Sequence, residues 1–256
     1  MQSGIIVRIY IYLGNLVLAA ARFVVLLVYF ILINTGLLLV FILRPMHKNN
    51  VYLGGQVYST MAKIMGISLE VRATDKLDFK KSYLYIANHQ NSYDLMTVAA
   101  AARPGVVTIG KKSLKWIPVF GLIYWLSGNI MIDRKNTSRA KDTLDITAEK
   151  VKRSGLSIFM FPEGTRSRGR GILPFKTGAF RLAQQTKQPI VPVICSDLSQ
   201  IKMNKWDNGV VLVSILDPIE MEGQQNPRQM ANYFEELMKI KYKELNDEIS
   251  QMTSEV

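Results

Sequence analysis

The stretch YLYIANHQNSYD, residues 83–94, decides how this chain is read. Its first five residues are apolar or aromatic with no polar alternation, as expected of a strand covered on both faces. The polar residues that follow place His89 at that strand's C-terminal end, the edge where open α/β sheets build their sites. His89 and Asp94 are five positions apart, which on a continuous helix sets them about 140° apart, too far to meet. If the strand ends at Asn88 and Ser92 caps a helix whose first turn holds Asp94, the carboxylate folds back toward the imidazole. A neutral imidazole, with an ordinary pKa of about 6.5, is suited to take a proton from a hydroxyl. An aspartate accepting from its other nitrogen fixes the tautomer and stabilises the imidazolium. Taken alone, a His–Asp pair at this spacing is more often a structural hydrogen bond.

Working outward, apolar runs at 106–109, 130–132, 156–161, 190–196 and 210–215 read as further strands separated by helix-like segments. This order predicts an α/β fold with a mixed, mostly parallel sheet flanked by helices. Residues 137–154 form an amphipathic pattern with a Thr/Ser start and Gly155 as its stop, and Asn226 and Pro227 open a long charged helix to about residue 250. Directly after the run at 156–160 comes FPEGTRSRGR, residues 161–170. Pro162 and Gly164 force a turn that presents Thr165, Arg166, Arg168 and Arg170 together, with backbone amides and guanidinium forks suited to phosphate oxygens. Glu163 sits among these cations, where it would hold Arg166 or contact a substrate hydroxyl. Lys111 and Arg134 each follow another strand candidate, so the strand ends bearing His/Asp, Lys, Arg and Glu/Arg converge if those strands are neighbours.

Residues 23–43, FVVLLVYFILINTGLLLVFIL, carry no charge and are bounded by Arg22 and Arg44. As a helix the run extends about 30 Å, enough to cross a hydrocarbon core. It is too long for a cleaved signal and lacks a small-residue cleavage site. Residues 5–21 are apolar but include Arg8 and Asn15, so the N-terminal part, residues 1–70, reads as a membrane-anchoring helix or a two-helix hairpin joined near Arg22. Residues 71–256 then form the catalytic domain. The net charge of +12 and the pI near 9.7 call for a polyanionic partner: nucleic acid, an acidic membrane surface or a phosphorylated substrate. Residues 103–187 hold 17 Lys/Arg against 5 Asp/Glu, whereas 220–256 hold 4 against 8, which puts the anion-facing surface in the middle of the chain. No nucleic-acid module accompanies that charge. A single cysteine, Cys195, and two histidines offer no disulfide framework and little for a metal, and Cys195 is expected in the core.

Four blocks in order, His89 with Asp94, GKKSLKWIPVFG followed by GNIMIDR, FPEGTRSR, and Ile190-Val191-Pro192-Val193, make residues 70–218 resemble the 1-acylglycerol-3-phosphate O-acyltransferases of the glycerolipid acyltransferase superfamily. The resemblance implies that fold, with an acyl-CoA or acyl carrier protein thioester as donor. It implies the sn-2 hydroxyl of lysophosphatidic acid as acceptor and phosphatidic acid as product. It also implies His89 as base with Asp94 as its partner, and Lys111, Arg134, Glu163, Gly164, Thr165 and Arg166 around the phosphorylated acceptor. No cofactor or metal enters, no nucleic acid is a partner, and no serine or cysteine lies in a nucleophile motif, so attack is direct. The site is expected to face the cytoplasm from the inner membrane. Open at this point are another acceptor, such as glycerol 3-phosphate or another lysophospholipid, and a lipid-binding role without catalysis. Open too are the choice of donor and whether the N-terminus spans the bilayer or enters one leaflet.

Overall fold

The computed structural model describes residues 2–78, 80–133, 137–220 and 226–254. Among them, strands β1 (Ile67–Ala73), β2 (Leu84–Ala87), β3 (Val106–Lys111), β4 (Ile130–Ile132), β5 (Ser157–Met160), β6 (Ile190–Cys195) and β7 (Gly209–Ile215) form one sheet in the order β1-β7-β6-β2-β5-β3-β4. All neighbours are parallel except β6 and β7. Five adjacent strands, β6-β2-β5-β3-β4, therefore end on the same edge, and that edge receives the motif blocks.

The period-two alternation of strands divides the core into two clusters. Tyr85 and Ala87 of β2 join Val106, Phe159, Val191 and Val193 on one face, while Leu84 and Ile86 join Ile109, Ile158, Ile190 and Ile194 on the other. The first face is covered by α1 (Gln2–Leu43), α2 (Asn50–Ser59), α3 (Met61–Ile64) and α4 (Phe120–Leu126), through Leu37, Phe41, Tyr58, Met61 and Ile123. The second is covered by α5 (Thr137–Ser154), α6 (Gly178–Thr186) and α7 (Pro227–Ser254), through Val151, Phe180, Leu182, Phe234 and Met238. The sheet is thus buried on both sides, which explains its unalternating apolar strands. Cys195 is buried and free, as expected.

The N-terminal segment is one continuous helix, so the hairpin alternative does not hold: Arg22, its supposed joint, lies in mid-helix with no proline to break it. Arg22 is instead a docking residue. It is buried, and its guanidinium donates to the carbonyls of Met203 (3.2 Å), Lys205 and Trp206 (2.7 Å). Asn34 Oδ1 accepts from the Tyr58 hydroxyl at 2.8 Å, and Leu18, Leu37 and Phe41 are buried on the same side. The residues from 10 to 43 are long and apolar enough to cross a membrane. The opposite side of α1 leaves Phe23, Val24, Leu27, Ile31, Leu32, Leu39 and Leu43 exposed.

Candidate active site

The turn after β2 is built by its own side chains. Asn88 Nδ2 donates to the Cys195 carbonyl and Asn88 Oδ1 accepts from the Cys195 N–H, both at 2.9 Å, which extends the β2–β6 pairing by one side chain. Gln90 Nε2 donates to Ser196 O at 2.6 Å while its Oε1 accepts from Leu198 N at 3.0 Å. These two residues pin the turn from the β6 side and hold His89 between them.

Asn91, not Ser92, is the cap of the turn that follows, a 3₁₀ segment at Ser92–Leu95. The Asn91 amide oxygen accepts from Tyr93 N at 2.8 Å, and Asp94 Oδ2 reaches back to Asn91 N at 3.1 Å, a reciprocal capping box. A carboxamide one residue earlier leaves Asp94 at the third position of the turn, where its side chain can return to the start. Oδ2 also accepts from Gln90 N at 2.8 Å and lies 2.6 Å from His89 Nδ1. Because that oxygen already accepts two backbone N–H groups, the hydrogen of the third contact belongs on Nδ1, and Nε2 is left with its lone pair. The ring is further held by stacking on Phe161, with centroids 4.2 Å apart and planes 20° apart.

The loop after β5 is sewn to this turn: Ser167 N donates to His89 O at 2.8 Å and Arg168 N to Gln90 O at 2.9 Å. Glu163 departs from expectation. It is buried, takes His89 N on Oε1 (2.7 Å) and Leu173 N on Oε2 (3.1 Å), and supports the base from behind without holding Arg166. Burial pushes its carboxyl up to about 7, against those two donors, which pull the other way. Gly164 has φ 71°, in the left-handed region that favours glycine. Exposed Arg166 reaches Ser92 Oγ at 3.4 Å.

A cavity of about 600 Å³ opens at this edge. His89, Asp94, Lys111, Gly164, Thr165 and Arg166 line it together, and its walls include Phe41, Val51, Leu95, Val98, Ile123 and Phe159. Glu163 is not among the lining residues, and Arg134 lies outside the described residues. A proton acceptor thus stands between a cationic rim and an apolar volume large enough for a long-chain ligand. The roles of Asn88, Gln90 and Phe161 escaped the sequence reading, although all three flank motif residues. So did a polar cluster in the wall, where Thr108 Oγ1 meets the Tyr124 hydroxyl at 2.6 Å and Asn129 Oδ1 at 2.9 Å.

The Acyltransferase family profile covers residues 68–196, from β1 to the residue after β6, and the protein is an acyltransferase. The chain is 42% identical over 211 residues to the 1-acyl-sn-glycerol-3-phosphate acyltransferase of Haemophilus influenzae, covering 81% of this chain and 88% of that one. It is 40% identical over 233 residues to the protein of the same name in Escherichia coli, covering 90% and 95%. The fold is shared with the crystal structure of the 1-acyl-sn-glycerophosphate (LPA) acyltransferase PlsC of Thermotoga maritima, at TM-score 0.73 and 21% identity, over 92% of this chain and 97% of that one. The chain belongs to the bacterial 1-acyl-sn-glycerol-3-phosphate acyltransferase family.

Proposed function

We propose that this protein moves a fatty acyl group from acyl-CoA or acyl carrier protein to the sn-2 hydroxyl of 1-acyl-sn-glycerol 3-phosphate, forming phosphatidic acid for phospholipid synthesis. The observation that carries the reading is His89, held by Asp94, at the junction of a cationic rim and an apolar cavity. Nε2 takes the proton of the acceptor hydroxyl as its oxygen attacks the thioester carbonyl. Asp94 stabilises the resulting imidazolium, and the proton is handed to the departing thiolate. Lys111, Thr165, Arg166 and the backbone at Gly164 receive the phosphate, as does Arg134 by its place in the family motif. Glu163 positions His89 through its backbone. No cofactor or metal takes part, and no acyl-enzyme forms.

On this reading residues 1–70 anchor the protein and residues 71–256 carry catalysis at the cytoplasmic face of the inner membrane. Because α1 is docked on the α/β core from Leu18 to Phe41, it offers lipid its opposite side. Thiol release from acyl-CoA, with and without lysophosphatidic acid in detergent micelles, tests the assignment. Acceptor-dependent release that yields phosphatidic acid, reduced roughly 10²- to 10⁴-fold in His89→Ala, is expected. Release without acceptor would point to a hydrolase. No release with either acyl-CoA or acyl carrier protein would overturn the acceptor.

A further inference from the structure

The segment between β3 and β4 presents an outward surface that the α/β core does not use. Trp116 is 76% exposed and Trp125 51%, and Ile117, Val119 and Leu122 are exposed beside them. Trp116 ends the 3₁₀ turn Lys112–Trp116, Ile117 and Val119 lie in the corner that follows, and Leu122 and Trp125 stand three positions apart on one side of α4. The inward side of the same segment, Leu114, Phe120, Ile123 and Tyr124, lines the cavity. One short element thus has its back in the candidate active site and an apolar, aromatic face turned outward. Val119, a β-branched residue, is held at φ 61° to make this corner.

Two observations say what covers that face. The surface is continuous with the apolar side of α1: α4 packs on α1, Met46 just after α1 is exposed, and its N–H donates to Leu126 O at 2.7 Å. Its charge is also one-signed. Lys112 and Lys115 precede Trp116, with Lys115 Nζ 4.5 Å above the indole ring, and no Asp or Glu occurs between Asp94 and Asp133. Exposed tryptophans with lysines at their edge are the composition of a protein surface seated at the headgroup level of an anionic bilayer.

We propose that the 112–125 segment is a second membrane contact, distinct from α1, that seats the cavity's wall in the headgroup layer so that an amphiphile passes from the leaflet to His89 without crossing water. The proposal rests on the membrane-drawn acceptor of the preceding section, but its first test reads position and not turnover. The full chain carries three tryptophans, Trp116, Trp125 and Trp206. With Trp206→Phe, the remaining two report the segment in floated vesicles of phosphatidylethanolamine and phosphatidylglycerol bearing a headgroup-proximal nitroxide lipid.

The proposal expects both tryptophans to be quenched by the lipid nitroxide and shielded from aqueous iodide. Tryptophans still open to iodide in floated vesicles would overturn it. So would shielding from iodide without lipid quenching, which would mean that a second copy of the chain covers the face. A functional arm uses Lys112→Glu/Lys115→Glu, which replaces no residue assigned to the site. KM for acceptor presented in anionic vesicles should rise several-fold, while kcat and KM for a dispersed short-chain acceptor stay at wild-type values. An equal loss on both substrates would count against a membrane role.

Discussion

Asp94 concentrates three hydrogen bonds on one oxygen, Oδ2, while its buried Oδ1 has no partner. That asymmetry separates its catalytic and structural parts. In Asp94→Asn the amide oxygen can keep the three donors and the NH₂ can take the Oδ1 position, at a cost of about 1–3 kcal/mol for an unsatisfied buried donor. The tautomer survives, but the negative charge that stabilises the imidazolium is gone. The expected outcome is a kcat reduced roughly 10²- to 10⁴-fold in a protein that still folds, read from initial rates beside a denaturant titration. Glu163 predicts a pH effect of opposite sign to the usual carboxylate. Its folded-state pKa, raised to about 7 by burial, lies above the ordinary glutamate value of 4.5. The native state therefore holds a proton that the unfolded chain releases. The stabilisation is complete below about 4.5, is lost as pH climbs to about 7, and changes little beyond it. Glu163→Gln, which cannot ionise, should flatten the unfolding midpoint across that window while lowering kcat about ten-fold through a less firmly held His89. A midpoint with the same pH slope in both proteins would reject the assignment.

Docking of α1 depends on a few polar side chains set in an apolar helix. Arg22→Leu removes three charge-assisted bonds to the 203–206 loop and leaves those carbonyls to water, an expected loss of about 2–4 kcal/mol. Faster proteolysis at 203–206 in detergent, with the sheet still protected from hydrogen exchange, is the expected result. The same residue shows what the sequence could and could not convey. A charge beside an apolar run reads as a boundary, because nothing local records a partner 181 positions away. Strands β2 to β7 fell within one or two residues of their sequence-based limits, since a sheet buried on both faces writes each strand as an apolar run. β1, ISLEVRA, alternates with charged residues at the sheet's edge and carries no such run. α2, NVYLGGQVYS, holds two glycines and β-branched valines, poor helix formers that packing overrides. A Cβ at Gly55 would lie 2.3 Å from Ala99 O, so that glycine serves close approach of the helix to the core. The His–Asp couple was legible because its partners are local. The cavity was not, because α2 and α4 wall it through tertiary contacts.

Charge and apolarity are segregated along the chain, and the two should respond differently to salt. The 103–187 region carries the excess of Lys and Arg, the tail after 220 is acidic, and most of the large exposed apolar side chains among the described residues lie on α1 and on residues 116–125. Attraction of a basic residue to an anionic membrane is worth about 1 kcal/mol near the surface. It fades as the Debye length shrinks from about 10 Å at 0.1 M salt to about 3 Å at 1 M. Burial of apolar side chains in lipid is not weakened by salt. Raising NaCl from 0.1 to 1 M should therefore leave the protein floating with vesicles while KM for the anionic acceptor rises several-fold. kcat at saturating acceptor should change little, because Asp94 is buried and His89 half-buried, away from the ions that screen the rim. Vesicle flotation and initial rates over the same salt series measure the two effects side by side. Release into the supernatant at 1 M salt would mean that attachment is electrostatic and that α1 does not enter the hydrocarbon. A salt-insensitive KM would mean that the phosphate is recognised by buried groups and not by the cationic rim of Lys111 and Arg166.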